Sequence, residues 1–445
     1  MTELDIWLDG AIVATAAMTS RGRKVAVTYT DAATEAYEQG DPILSCSLPA
    51  LPGANPPAAS RAFLEGLLPE GRALQIAAAH LHGVGLDSSG APETAADSIR
   101  LLAEYGRDCA GAVSVLPAGE PPSANARPSA PLTDEELGSL IVDLPVRPLG
   151  ADPGRGIRMS LGGAQDKLLL TRVGDDWCTP LDGYPSTHIL KPATVWSHSA
   201  ENEALVMTLA RTCTLSDTDV WVESIGGRST FVTTRYDRMV GEDGTITRIH
   251  QEDMCQALGI RPKDKYHVGR PAERMARILR EFADSPGHEV LRLFRQVAFR
   301  ALVGDEDGHG KNYSLLLRGG SATVAPIYDS LCTLYYPELS ARMALPIGTQ
   351  TSLAKVDRAA LIAEARAMLL READAQAAID DLIAGVRAGL ESLPDEVTSG
   401  WPSHRLITTI TDRARRLESG QPLGGNGSRS RRPTLDEATA RRHTP

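Results

Sequence analysis

The chain lacks most of what would tie it to a membrane, an oxidising compartment or bulk nucleic acid. It has six cysteines, Cys46, Cys109, Cys178, Cys213, Cys255 and Cys332, and none lies in a C-x-x-C pair. That spacing argues against a zinc knuckle or a redox motif. No disulfide framework is readable at this length, and the cytoplasm is the expected compartment. No apolar run approaches the ~18 residues of a membrane span. The acidic start, Met1-Thr2-Glu3-Leu4-Asp5, shows no apolar signal-peptide core. Positive charge is not in excess: the formal net charge is −11. An acidic balance argues against non-specific binding of DNA or membrane by the chain as a whole. There are no internal repeats.

What is present reads as a globular chain of several parts. Its 445 residues exceed the ~250–300 at which single cores stop growing, so two or three domains are expected. Apolar residues at 42% and charged residues at 23% are ordinary globular values. Leu4, Ile6 and Leu8 alternate ahead of an Asp9-Gly10 turn, and 11–13 reads as the return strand. Residues 24–29 give a further strand. Segments 63–69 and 99–104 look helical, and 110–115 looks like a strand closing a β-rich module over 1–117. Pro121, Pro122, Pro128 and Pro131, among Ser, Ala and Asn, mark a linker within 118–150. Region 151–250 reads as a mixed sheet, with strands at 168–171, 187–191, 219–222 and 229–234 and a helix at 201–211. From about residue 250 the periodicity turns helical. Val290, Phe294, Val297 and Ala301 share one helical face, and 353–369, 371–392 and 404–418 are Ala-rich amphipathic helices. Region 251–419 is therefore expected to be helical. The end, 420–445, is rich in Gly, Ser, Arg and Thr and is expected to be disordered. Arg429, Arg431, Arg432, Arg441 and Arg442 make it locally basic.

The chemistry concentrates in Asp307-Gly308-His309-Gly310-Lys311-Asn312. An Asp and an Asn at this spacing, on a loop after an apolar helix, match a kinase catalytic loop. Phosphoryl transfer needs a carboxylate beside the attacking hydroxyl and an amide oxygen on a phosphate-bridging metal. Glycines 308 and 310 are expected to give the crowded loop unusual dihedrals. A polar helix-capping loop is the plain alternative. Segment 325–329 reads as a short strand ending in Asp329, a second carboxylate for Mg²⁺. There is no Asp-Phe-Gly, and read alone such an Asp is more often a turn or helix-cap residue. Gly162, Gly163, Ala164 and Gln165 precede a strand, where small residues let backbone N–H groups approach phosphates. Taken by themselves, these residues read more readily as a simple hairpin turn. Lys191 ends a strand, and Glu203 on the next helix is its candidate partner, the kinase arrangement for gripping phosphates. The order of these parts says more than any one of them.

Several longer runs resemble the HipA family of toxin serine/threonine kinases. They are Ser160-Leu-Gly-Gly-Ala-Gln-Asp-Lys167, His188-Ile-Leu-Lys191-Pro, Glu201-Asn-Glu203, Arg235-Tyr-Asp-Arg238, His250-Gln-Glu-Asp-Met-Cys-Gln-Ala-Leu258, Asp307 to Asn312 and Pro326-Ile-Tyr-Asp329. Phe63-Leu-Glu-Gly-Leu-Leu-Pro-Glu-Gly71 and Gly106-Arg-Asp-Cys-Ala-Gly-Ala-Val113 extend the resemblance toward the N-terminus, so it covers the chain to about residue 418. It implies ATP and Mg²⁺ as cofactors. It implies Asp307 as the catalytic Asp, with His309 and Lys311 beside it, and Asn312 and Asp329 as Mg²⁺ ligands. Lys191 with Glu203, the loop 162–165, Lys167 and His309 would lie at the phosphates. Thr234, Arg235 and Tyr236 would form the adenine hinge, with Asp237 and Gln251 near the ribose or base. Ser160 would be the site of regulatory autophosphorylation. The implied partner is a small helix-turn-helix antitoxin, through which DNA is reached indirectly. The implied substrate is a translation component such as an aminoacyl-tRNA synthetase. Leu161, Gly162 and Asp166 depart conservatively from the family pattern, and the basic tail is no part of it.

The expected fold is α+β: a protein kinase-like two-lobed core with a β-rich N-terminal module and an all-helical C-terminal lobe. The expected reaction is Mg·ATP-dependent transfer to a Ser or Thr of a protein. A small-molecule phosphotransferase uses the same Asp-x-x-x-x-Asn geometry and is one alternative. A non-catalytic ATP-binding corepressor of an antitoxin is another.

Overall fold

The structure is a computed structural model that describes residues 3–19, 23–340 and 342–425. The tail arginines from Arg429 onward lie outside the described residues.

Alternation of apolar residues builds the N-terminal sheet. Strand Glu3–Leu8 pairs antiparallel with Ala11–Thr19 and Ser114–Pro117, and Ala11–Thr19 pairs with Lys24–Tyr29. Asp9 and Gly10 both take positive φ, 50° and 82°, the handedness a two-residue hairpin loop needs. Leu4, Ile6 and Leu8 are buried in one core with Phe63 and Leu64 of helix Pro57–Gly66 and with Ile99 and Leu102 of helix Ala95–Tyr105. Thr94 and Asp97 start the second helix with a reciprocal cap. The module is thus a sheet covered by helices. The expected strand at 110–115 begins only at Ser114. The residues before it leave the sheet because Gly111 N–H donates to Asp237 of the larger core at 2.7 Å.

The central sheet has five antiparallel strands in the order Val220–Ile225, Arg228–Thr234, His188–Pro192, Leu168–Val173, Asp176–Cys178. Its period-2 pattern sorts its two faces. Leu168, Leu170, Leu190 and Val232 pack on helix Asp134–Asp143, which lies inside the expected linker. The alternate residues Ile189, Lys191, Phe231 and Thr233 line the cleft on the opposite face, beside helix Ser199–Thr212.

The region after residue 250 is not all-helical. Helices Pro271–Phe282, Pro286–Val303, Arg358–Ala367, Glu372–Glu391 and Ser403–Glu418 supply most of it. A three-stranded sheet, Gln251–Asp253, Ser314–Arg318 and Ser321–Val324, and a hairpin, Arg342–Ile347 with Gln350–Ser352, interrupt them. Leu315-Leu316-Leu317 is a short apolar run whose periodicity cannot separate strand from buried helix. Segment 325–329 is irregular rather than a strand. Ala325 N–H still reaches Ser314 at 2.9 Å, but Ile327 N–H turns away to Leu215. No helix among the described residues is long and apolar enough to cross a membrane.

Candidate active site

Helix Pro286–Val303 ends where Gly304 takes φ 89°, the left-handed cap that lets a chain leave a helix sharply. The loop 305–309 follows, then one short turn, Gly310–Asn312. Neither Gly308 nor Gly310 takes a positive φ, so the expected dihedral role is wrong. They are needed for space. A Cβ on Gly308 would stand 2.9 Å from Arg300 Cδ, and one on Gly310 would stand 2.8 Å from Cys255 Sγ.

The loop faces Asp329. Asn312 Nδ2 donates to Asp329 Oδ2 at 3.1 Å. Asn312 Oδ1 is buried and has no hydrogen-bond partner, although such an oxygen normally has one. Asp329 itself takes φ 53°, a strained conformation for a residue with a side chain, and such strain clusters at functional sites. Tyr266 donates its hydroxyl to Asp307 Oδ1 at 3.1 Å, and its ring meets His309 edge-on at 5.1 Å.

Lys191 reaches the same point from the sheet. Its Nζ lies 2.6 Å from Glu203 Oε1 and 2.5 Å from Asp329 Oδ1, so the Lys191–Glu203 pair is formed. Burial works to lower the Lys191 pKa. The carboxylates of Asp329 and Glu203 outweigh it and hold the ammonium well above its usual value. Burial pushes Glu203 up, Lys191 opposes this and Asp329 adds to it. Two carboxylates thus share one ammonium, in the cleft that Asp307 also lines.

A Mg²⁺ ion fits these residues. Among the described residues no three His, Cys, Asp or Glu side chains form a metal-binding group. Mg²⁺ typically takes one or two protein oxygens and fills its remaining positions with water and phosphate. The orphaned Asn312 Oδ1 and the Asp329 carboxylate are the oxygens that would hold it.

The cleft holds about 1600 Å³ of empty space, its open mouth included. Gly162, Gly163, Ala164, Gln165, Lys167, Lys191, Glu203, Thr234, Tyr236, Asp237, Gln251, Asp307, His309, Lys311, Asn312 and Asp329 all line it. Ser160 does not. It is fully buried, with its hydroxyl donated to Leu67 O at 2.6 Å. Asp237 lines the cleft but accepts hydrogen bonds from Arg235 and Gly111. Gln251 accepts from the Tyr236 hydroxyl and donates to Asp237. Lys311 is ion-paired with Asp253.

Sequence reasoning missed Arg300, the residue that joins the two halves of the site. It donates to the carbonyls of Tyr328 at 2.6 Å, Asn312 at 3.0 Å and Asp329 at 3.1 Å, and it pairs with Asp305. An arginine within an apolar helical stretch was the available signal. Glu70, Asp253, Lys265 and Tyr266 were missed as well, because their partners are distant in sequence.

Fold and cleft together define a mixed α/β protein in which a helix-covered N-terminal sheet docks on a larger core with a charged cleft. Residues 4–116 match the model of the HipA N-terminal domain, and residues 159–390 match that of the HipA-like C-terminal domain. The chain belongs to the HipA family. A Sinorhizobium fredii protein named "Putative kinase Y4mE" is 36% identical over 361 residues, 80% of this chain and 83% of that one. The Shewanella oneidensis "Serine/threonine-protein kinase toxin HipA" is 28% identical, over 64% of this chain and 66% of that one. The solved complex of Shewanella oneidensis HipA, HipB and operator DNA contains a chain of the same fold. Its TM-score is 0.75 at 23% identity, covering 94% of this chain and 97% of that one.

Proposed function

We propose that the chain is a Mg·ATP-dependent serine/threonine protein kinase with a kinase-like two-lobed core. The observation that carries this reading is the junction of Asn312 and Asp329, where Asn312 donates its Nδ2 to the Asp329 carboxylate and keeps a buried, unpartnered Oδ1, in the cleft that also holds Asp307. In this reading Asp307 orients the acceptor hydroxyl and takes its proton. Lys191, fixed by Glu203, offers its ammonium to phosphate oxygens. The loop 162–165 brings backbone N–H groups to the same phosphates. Bound Mg²⁺ supplies positive charge where phosphate charge shifts during transfer. Catalysis is then mainly positioning and charge stabilisation.

On the same reading the chain is the toxin of a toxin–antitoxin pair. The support is its family and the Shewanella complex, which holds HipA with HipB and operator DNA. A small helix-turn-helix antitoxin is the proposed partner, and a translation-related protein is the proposed acceptor. Ser160 is proposed as the self-limiting phosphorylation site. A phosphate there adds about −1.5 to −2 charge and breaks the hydroxyl's bond to Leu67 O.

Labelled ATP, offered with protein and small-molecule acceptors, tests the reaction class. Label is expected on protein. Asp307→Asn should cut transfer at least about 100-fold while keeping ATP affinity. Wild-type protein that binds no ATP, or labels only small molecules, would overturn the reading.

A further inference from the structure

Glu70 belongs to the N-terminal module, between helices Pro57–Gly66 and Gly71–Ala79. Its carboxylate is spent outside that module. Oε1 accepts the Gly163 N–H at 3.1 Å, and Oε2 accepts Lys265 Nζ at 2.9 Å. Lys311 Nζ stands 4.0 Å from Oε1. The backbone of the same turn adds to the grip. Glu70 N–H donates to Gly163 O at 3.3 Å, Ser160 Oγ donates to Leu67 O at 2.6 Å, and Lys311 Nζ donates to Gly66 O at 3.4 Å.

Besides the turn, the loop is tied by Lys167 Nζ to Gly162 O and by Ser160 N–H to Asp108 O, each at 2.9 Å. Residues 160–167 form no helix or strand. Gly163 takes φ 101°, a conformation glycine adopts freely and other residues rarely do. A loop of this kind presents its amides in one arrangement only if something else orders it, and ordering it beforehand removes that cost from ligand binding. The 66–70 turn makes five hydrogen bonds here: three hold the loop itself, at Ser160 and Gly163, and two hold Lys265 and Lys311 beside it. The Glu70 carboxylate supplies the ones to Gly163 N–H and Lys265.

We infer that Glu70 is a positioning residue for nucleotide binding. It latches the glycine-rich loop and the two lysines below it in their cleft-facing arrangement. The N-terminal module is thereby a working wall of the cleft. This inference rests on the cleft being a nucleotide site. Glu70 acts through Gly163, Lys265 and Lys311, and is not itself a catalytic residue.

Hydrogen–deuterium exchange on the nucleotide-free full chain reads the latch directly. In Glu70→Ala, amides of 161–167 should exchange about tenfold faster, the scale of losing a charge-assisted hydrogen bond. Amides of the N-terminal and central sheets should keep wild-type rates. Glu70→Gln retains an acceptor for Gly163 and should fall between. In parallel, KM for ATP should rise about tenfold in Glu70→Ala while kcat stays within about twofold, the pattern of a lost binding contribution. Wild-type loop protection in Glu70→Ala overturns the proposal. So does equal loss of protection in the N-terminal sheet, which would make Glu70 a stability residue only. A wild-type chain without ATP affinity overturns the reading of the cleft, and the exchange rates, taken without nucleotide, tell that failure from failure of the latch.

Discussion

Arg300 carries more of the site's geometry than any residue whose chemistry was legible in the sequence. Asp307 and Asn312 could be read because their types and spacing sit on one short loop. Arg300 lies in the last turn of the preceding helix, 2% exposed, and its partners are loop carbonyls that no side-chain pattern announces. One planar fork holds the carbonyls of Asn312, Tyr328 and Asp329, which fixes both proposed metal ligands relative to each other. Arg300→Met removes the cation paired with buried Asp305 and the guanidinium's bonds to three carbonyls, and should cost about 3–5 kcal/mol, read as a lower urea midpoint. Arg300→Lys should recover little of this, because a single ammonium cannot reproduce the guanidinium's spread of donors. A midpoint within experimental scatter of wild type for either variant would refute the role.

Elements were legible where a local rule stood alone. The Asp9-Gly10 hairpin and the Val290-to-Ala301 helix face emerged as read, since turn chemistry and periodicity are local. Helix Asp134–Asp143 carries a local signal, the capping box of Thr133 and Glu136, but it sits directly behind prolines whose composition reads as a linker. The small sheet next to the 305–312 loop was not readable, because Gln251–Asp253 pairs with Ser314–Arg318 across some sixty residues.

Strand His188–Pro192 gives a test at the element scale. His188 is buried between Trp177 and Trp221, at 5.0 and 5.9 Å. Burial, with Arg172 nearby, lowers its pKa from 6.5 to about 4. Below pH 6.5 the unfolded chain takes up a proton that the folded strand refuses. The stability His188 contributes is therefore present above pH 6.5 and is lost as pH falls toward 4. The loss should reach about 3 kcal/mol. Carboxylates titrate over part of this range, so the measurement is the difference between wild type and His188→Phe, from denaturant curves at pH 7, 6, 5 and 4. That difference should shrink by about 3 kcal/mol toward pH 4. A difference independent of pH would sink the argument.

At the scale of the molecule the question is what joins the N-terminal module to the core. The seam is ionic and buried. Asp108 of the module lies 2.9 Å from Arg238, 3.2 Å from Arg248 and 3.7 Å from Arg235. Its carboxylate also accepts from Ser186 Oγ at 2.6 Å, and Arg235 and Arg238 share Asp237 in turn. Burial alone would raise the Asp108 pKa, but the three guanidiniums overrule it and hold the carboxyl below its usual range. The run Gly106 to Val113 carried the family resemblance, yet nothing local in it names three arginines well over a hundred residues away. Asp108→Asn leaves Arg235 and Arg238 sharing the buried Asp237 carboxylate and takes Arg248's carboxylate contact away, and should cost about 3–5 kcal/mol. The depressed pKa fixes the sign with pH: the Asp108 contribution is full above the ordinary carboxylate range and disappears as acid protonates it. Wild type and Asp108→Asn should therefore differ most near neutrality and converge on acidification. The Glu70 latch depends on the module staying docked, so the amides of 161–167 should also lose protection in Asp108→Asn. Loop protection that survives the loss of Asp108 would mean that the 66–71 turn holds the loop without help from the seam.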